Sequence, residues 1–452
     1  LKKTLTSILS LALVLTAAGC GGNQPAATPA AGDGKAAAPA APAASGDAKK
    51  EASKDPVKLR VAWWGGQARH DYTLKVIDMY MKLHPNVKIE TEYSSFDDYW
   101  KKLAPQAAAN QLPDVIQMDY AYITQYADRN QLVDLNPYTK NGLLDMSSVS
   151  KDIIDVGSIN GKYYAVTLGV NALGSFVDMD MMKKAGVDYN KTGATWDDLE
   201  SYAQKLKSTG KLLSQGYAYD VYFNYFLRTN GQSLFKADGT ALGYTDDKLF
   251  VDYFKRYQKW YEAGYVLPLD KAAQKKGVPE DDELAFGNSA TVQAWSNQFL
   301  AHGMAAKRPL ELVPPPGPNI NKGLFMKPSQ YFSVTSNSKL KDEAVKFIDY
   351  FTNDIEANKI IKGERGVPIS SKVKEALKPL LSPEEAKIFD YVAWAEKNSS
   401  PNDPPDPVGA SEVRTVLLKD LGDQILYKKI SIEDAAAKFR KDANAVLAKN
   451  KK

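Results

Sequence analysis

The sequence predicts an α/β fold built as two lobes, with a parallel sheet covered by helices on both faces. Three observations lead there. The first ordered stretch alternates strand, helix and strand patterns. Strand-like runs reappear late, beyond residue 290, after a long helical stretch. And about 430 residues remain once an N-terminal export segment is set aside, more than one hydrophobic core organises.

Residues 57–64 read VKLRVAWW, in which Leu59, Val61 and Trp63 share one face and Arg60, Ala62 and Trp64 the other, the period of a sheet strand. Gly65 and Gly66 end it. Asp71 can cap a helix whose Tyr72, Val76, Tyr80 and Leu83 form one stripe, and Pro85 closes that helix. VKIETEY at 87–93 supplies the next strand, so the opening is β-α-β and calls for a parallel pair. A helix over 96–110, the strand VIQMD at 115–119 and a helix near 122–129 continue the grammar. Further strands are expected at 162–168 and 173–178. From about 180 to 290 the pattern turns helical, most clearly at 197–207 and 248–263. Short strands are expected again near 290–294, 310–313 and 331–335, and helices dominate from 342 onward.

At the other end of the chain, Lys2 and Lys3 precede an apolar run over 8–18 that leads into Gly19 and Cys20. The run is too short to span a membrane and reads as an export signal over 1–19. Cys20 is the only cysteine, so no intrachain disulfide forms. A cysteine directly after such a segment resembles the bacterial lipobox, with Ala17 where Leu is preferred. The resemblance implies a diacylglycerol-modified Cys20 as mature N-terminus, and a protein anchored on the extracellular face of a bacterial, Gram-positive cell membrane. Residues 20–55 are almost all Ala, Pro, Gly, Ser, Lys and acidic residues, a disordered linker that serves as a tether. No later apolar run is long enough to cross a membrane, so the lipid is the only expected membrane contact. The formal charge of +4 includes Lys2 and Lys3, and without a clustered basic face nucleic acid is not an expected partner.

Several markers then accumulate in order: Lys102-Leu103, Pro113-Asp114-Val115, and Asn130 to Leu135 (NQLVDL). Ala185-Gly186-Val187 lead to Thr195-Trp196-Asp197-Asp198-Leu199, and later come Glu343 to Ile348 and Gly363 to Pro368. In this order the chain resembles the extracellular solute-binding proteins of ABC importers, in the sugar-binding group that includes maltodextrin-binding proteins. The resemblance covers about 57–447 and implies the type II periplasmic-binding-protein fold: two α/β lobes, a hinge, and a ligand cleft between them. It places 57–168 plus 291–333 in the first lobe and 172–288 plus 338–452 in the second. Crossings are expected at 169–173, near Asn288, and at 333–337.

Ligands of open α/β sheets collect beyond the carboxyl ends of the strands. Trp63 and Trp64 with Gly65 stand at such an end, the indole offering a flat apolar face for a pyranose and the glycine leaving room beside it. Arg69 and His70 follow, and a guanidinium suits the carboxylate of an acidic, pectin-derived sugar. Asp119 and Tyr120 end the strand 115–119, where a carboxylate can accept two sugar hydroxyls. Asn171 offers donor and acceptor at the first crossing. Trp295 and Tyr331 lie in the returning segment, Tyr219 and Trp394 are expected on the opposite wall, and Phe96 lies beyond strand 87–93.

The expected function is that of a monomeric, non-enzymatic receptor that captures an oligosaccharide by lobe closure and delivers it to the permease subunits of an ABC transporter, without cofactor. The alternative from another class is a secreted glycoside hydrolase, with Asp97 and Asp119 as its carboxylate pair. His70, His84 and His302 show no metal-ligand spacing, and no G-x-S-x-G elbow occurs.

Overall fold

The structure, a computed structural model, describes residues 57–450. The expected signal over 1–19, Cys20 and the linker over 20–55 lie outside the described residues. β1 (Val57–Trp64), α1 (Gln67–Leu83), β2 (Val87–Ser94), α2 (Phe96–Ala108), β3 (Val115–Met118) and α3 (Ile123–Asp128) follow one another as the alternation predicts. β1 runs parallel to β2 from Val57↔Val87 to Trp64↔Ser94, and parallel to β3 on its other side. Strand Tyr331–Val334 then pairs antiparallel with β3, and Val166–Thr167 pairs with it, closing a five-stranded sheet.

A second sheet orders Glu311–Val313, Leu173–Val177, Ser289–Trp295 and Leu212–Ser214. This corrects the expected partition. Residues 289–313 belong to the second lobe, because Ser289–Trp295 pairs with Leu173–Val177 and not with β1 or β3. An alternating run such as SATVQAW fits either sheet, and only its register against a partner decides between them. The helix Lys341–Asn353 moves the other way: Ala344, Val345, Phe347 and Ile348 are buried in the cluster that holds Leu59, Val61 and Val76. Helices Pro383–Lys397, Leu418–Leu426 and Ile432–Leu447 do pack on second-lobe elements.

The lobes are joined by three crossings that lie side by side. Val170–Asn171 pairs antiparallel with Lys327–Pro328, and on its other edge the Val170 amide donates to Val367 O (2.9 Å) and the Val367 amide to Val170 O (3.0 Å). The expected crossings near Asn288 and at 333–337 are therefore corrected to 327–330 and to a third passage whose Val367 pairs with Val170. Gly169 is required here: a Cβ would fall 2.2 Å from the carbonyl oxygen of Arg365. Arg365 fixes the third crossing from below, its buried guanidinium donating to Gln117 Oε1 and, at 3.0 Å, to Thr73 Oγ1 of the first lobe.

Candidate functional site

The carboxyl end of β3 delivers two side chains toward the second lobe. Asp119 caps the turn into α3, its Oδ1 accepting from the Ala121 amide at 2.9 Å. The Tyr120 hydroxyl reaches the other lobe and donates, shared, to the carbonyls of Asp403 (2.9 Å) and Pro404 (3.0 Å). Burial, with Asp406 and Asp403 nearby, raises the Tyr120 pKa, so the hydroxyl keeps its proton.

Its acceptors belong to the segment Ser400-Pro-Asn-Asp-Pro-Pro-Asp-Pro407, which forms no regular element and must be held by side chains. Arg228, 6% exposed on helix Tyr219–Thr229, does most of this. Its guanidinium pairs with Asp403 Oδ1 at 2.7 Å, donates to Ser400 Oγ (2.7 Å), Pro401 O (2.8 Å) and Gly323 O (3.2 Å), and lies over the Phe325 ring. Asp406 is matched by Arg414 at 2.6 Å. Arg414 sits in the π-helical turn Glu412–Leu417, a wide-turn geometry often found at functional sites.

Between these walls, at the crossings, lie Trp295, Phe325, Asn171 and Lys327. Trp295 ends its strand half-buried, edge-on to Phe325 with ring centres 5.8 Å apart. On the first-lobe rim, Phe96 is 41% exposed and touches Trp64, Trp100 and Tyr122, the last two stacked at 4.0 Å. A cavity of about 790 Å³ also opens between the lobes, on the far side of Asp403 and Pro404. Its walls carry five aspartates, among them Asp128, Asp155 and Asp238, and no aromatic ring, so the flat apolar faces that suit a sugar lie elsewhere, at Trp295 and Phe96.

Two α/β sheets bridged by three crossings bring polar and aromatic groups of both lobes together at the strand ends, around a cleft. Residues 65–357 match the family of bacterial extracellular solute-binding proteins. The chain belongs to that family. A family 1 extracellular solute-binding protein from Alicyclobacillus acidocaldarius subsp. acidocaldarius DSM 446 superposes with a TM-score of 0.75 at 29% identity, over 88% of this chain and 100% of that one. A periplasmic oligogalacturonide-binding protein from Yersinia enterocolitica shares the fold, with a TM-score of 0.71 and 23% identity, over 87% and 100% of the two chains. The arabinooligosaccharide-binding protein of Bacillus subtilis (strain 168) is 25% identical over 170 residues, 36% of this chain, and the match spans 38% of that relative's length.

In this solute-binding protein several of the expected site residues serve the lobes instead. Trp63 is fully enclosed: its Nε1 donates to His70 Nδ1 at 3.1 Å and its ring stacks on Tyr93. His70 is buried with it, and burial, then Arg69, lowers its pKa. Trp64 is buried on the opposite face of β1 against Tyr99 and Trp100. Gly65 makes room for Arg69, whose Cδ would lie 2.5 Å from an added Cβ, and not for a sugar. Arg69 already forms the two-pronged bond expected of it, with Glu364 (3.2 and 3.3 Å). Tyr331 is fully buried and donates to Val156 O, and Tyr219 packs on Phe254 and Tyr257 in the second lobe's core. Trp394 is half-buried and stacked on Tyr391. The side chain of Asp97 lies outside those described. Sequence reasoning missed Arg228, Lys327, Trp100 and the 400–407 segment. A signal existed for two of them: an arginine inside the aromatic helix YDVYFNYFLRT demands a partner, and four prolines within seven residues mark a stiff segment.

Proposed function

We propose that this protein captures an extracellular oligosaccharide in the cleft between its lobes and, once closed, presents it to the membrane subunits of an ABC importer. The observation that carries the reading is the Tyr120 bridge, a hydroxyl of one lobe bonded to backbone carbonyls of the other. The contact brings the two lobes together at the strand ends, where both can supply polar partners to sugar hydroxyls. Trp295, Asn171, Asp119 and Tyr120 form the central subsite, with Phe96 and Trp394 at its margins. The oligosaccharide ligands in the names of the Bacillus and Yersinia proteins support the class. Binding proceeds without turnover or cofactor, on a monomer. A lipidated Cys20 and the 20–55 linker hold the receptor at the outer face of a Gram-positive membrane, which raises its effective concentration at the permease.

The test is intrinsic tryptophan fluorescence together with small-angle scattering, on the mature chain, against plant-wall and storage oligosaccharides. A saturable emission change with a smaller radius of gyration is expected for at least one sugar, which chromatography recovers uncleaved. No response across the panel overturns the oligosaccharide reading, and cleaved product overturns the non-enzymatic one.

A further inference from the structure

An ammonium without a matched anion stands at the floor of the cleft. Lys327, in the second crossing, lies directly opposite Asn171 of the first in an antiparallel pair, so both side chains leave the same face of the ribbon. Lys327 Nζ is 5.3 Å from the centre of the Trp295 ring, within cation–π range. Among the described residues it has no hydrogen bond and no carboxylate within ion-pairing distance, and Asp119 and Asp406 act on it from further away. Burial lowers its pKa, and those two aspartates oppose the shift.

The other cations nearby are engaged. Arg228 is matched by Asp403 at 2.7 Å, Arg414 by Asp406 at 2.6 Å and Arg69 by Glu364 at 3.2 Å. Asp119 is occupied by the Ala121 amide. Asn171, 3% exposed, keeps an Oδ1 with no hydrogen-bond partner. The crossing ribbon therefore brings together an unmatched cation, an orphan acceptor and an aromatic face. A desolvated ammonium gains most from an anion, because charge-assisted hydrogen bonds are about twice as strong as neutral ones.

We propose that Lys327 receives the carboxylate of a uronic acid unit in the bound oligosaccharide, with the pyranose lying against Trp295 and one hydroxyl donating to Asn171. The inference rests on the oligosaccharide reading and moves the acid-reading role from Arg69, which Glu364 neutralises, to a cation within the cleft.

Titration calorimetry with trigalacturonate and with its fully methyl-esterified form, on the mature chain, tests this. The two probes differ in the carboxylates alone. Wild type is expected to bind the acid at least about tenfold more tightly, a preference worth about 1.4 kcal/mol. Lys327→Met should abolish that preference while leaving ester binding within about twofold, and Lys327→Arg should retain it. Circular dichroism of both variants reports folding, and if Lys327→Met fails to fold, Lys327→Gln replaces it. Equal affinities of wild type for acid and ester overturn the proposal and leave the oligosaccharide reading intact, as does an equal loss of both in the methionine variant. Binding of neither probe, nor of any neutral oligosaccharide, removes the reading beneath it.

Discussion

Arg228→Gln should loosen the second lobe's contribution to the cleft, and its cost follows from the bonds that the guanidinium makes. The side chain is 6% exposed and forms one ion pair, to Asp403, and three further hydrogen bonds, to Ser400, Pro401 and Gly323. Breaking a fully buried ion pair by removing one partner costs about 3–5 kcal/mol. Asp403 is less enclosed, with a side chain 31% exposed, and it keeps a bond from Ser233 Oγ at 3.0 Å. Its carboxylate can recover water, which brings the expected loss down to about 2–3 kcal/mol. Urea unfolding of variant and wild type reads this as a lower midpoint at unchanged slope. The functional effect is separate: the carbonyls of Asp403 and Pro404 are the Tyr120 acceptors, so ligand affinity falls as well. A destabilisation under about 0.5 kcal/mol with unaltered affinity would refute the assignment of Arg228 as the clamp of this segment.

Tyr120→Phe removes one shared hydrogen bond whose acceptors can turn to water, so affinity should drop by about 1 kcal/mol, roughly fivefold, in calorimetry with little change in unfolding midpoint. Combined with Arg228→Gln it should add less than its single effect, because both act on the same carbonyls, and full additivity would count against the bridge. Gly169→Ala forces a Cβ toward the Arg365 carbonyl, and a loss of about 1–3 kcal/mol in unfolding is expected, with altered compaction on ligand binding seen by scattering. His302, buried against Phe176, has its pKa lowered to about 4 by burial, Glu280 opposing. The unfolded chain therefore takes up this proton first, so stability is full above about pH 6.5 and falls by on the order of 3 kcal/mol as pH drops toward 4. His302→Gln should flatten that limb of the pH–stability curve.

The β-α-β opening was legible because alternation and turn residues are local signals, and Trp63 to Gly66 carry both. The same strand shows where reading stops. Alternation put Trp63 and Trp64 on opposite faces of a strand end that was read as a sugar platform, yet β1 is an interior strand covered on both faces, so each indole is buried in a different cluster. Arg69 was read as a ligand group because nothing in its neighbourhood reveals Glu364, which arrives with the third crossing. Lys327 looks like any lysine beside a proline, and its isolation from anions is a fact of three dimensions. The lobe boundaries failed for a related reason: SATVQAW and YFSV are both short apolar strands, and the sequence does not name their partners.

One strand of the first sheet carries a consequence for how the chain acquires its shape. β3 has Tyr331–Val334 as neighbour, and that neighbour in turn pairs with Val166–Thr167. Until the C-terminal part of the chain emerges, the strand between them is missing and β3 has an unpaired edge. The first lobe therefore cannot mature as a unit on its own, and its completion waits for a contact spanning most of the folded sequence, an arrangement that slows folding. Folding delayed in this way leaves the β3 edge of a newly made chain unpaired for longer than an edge closed by local contacts would be.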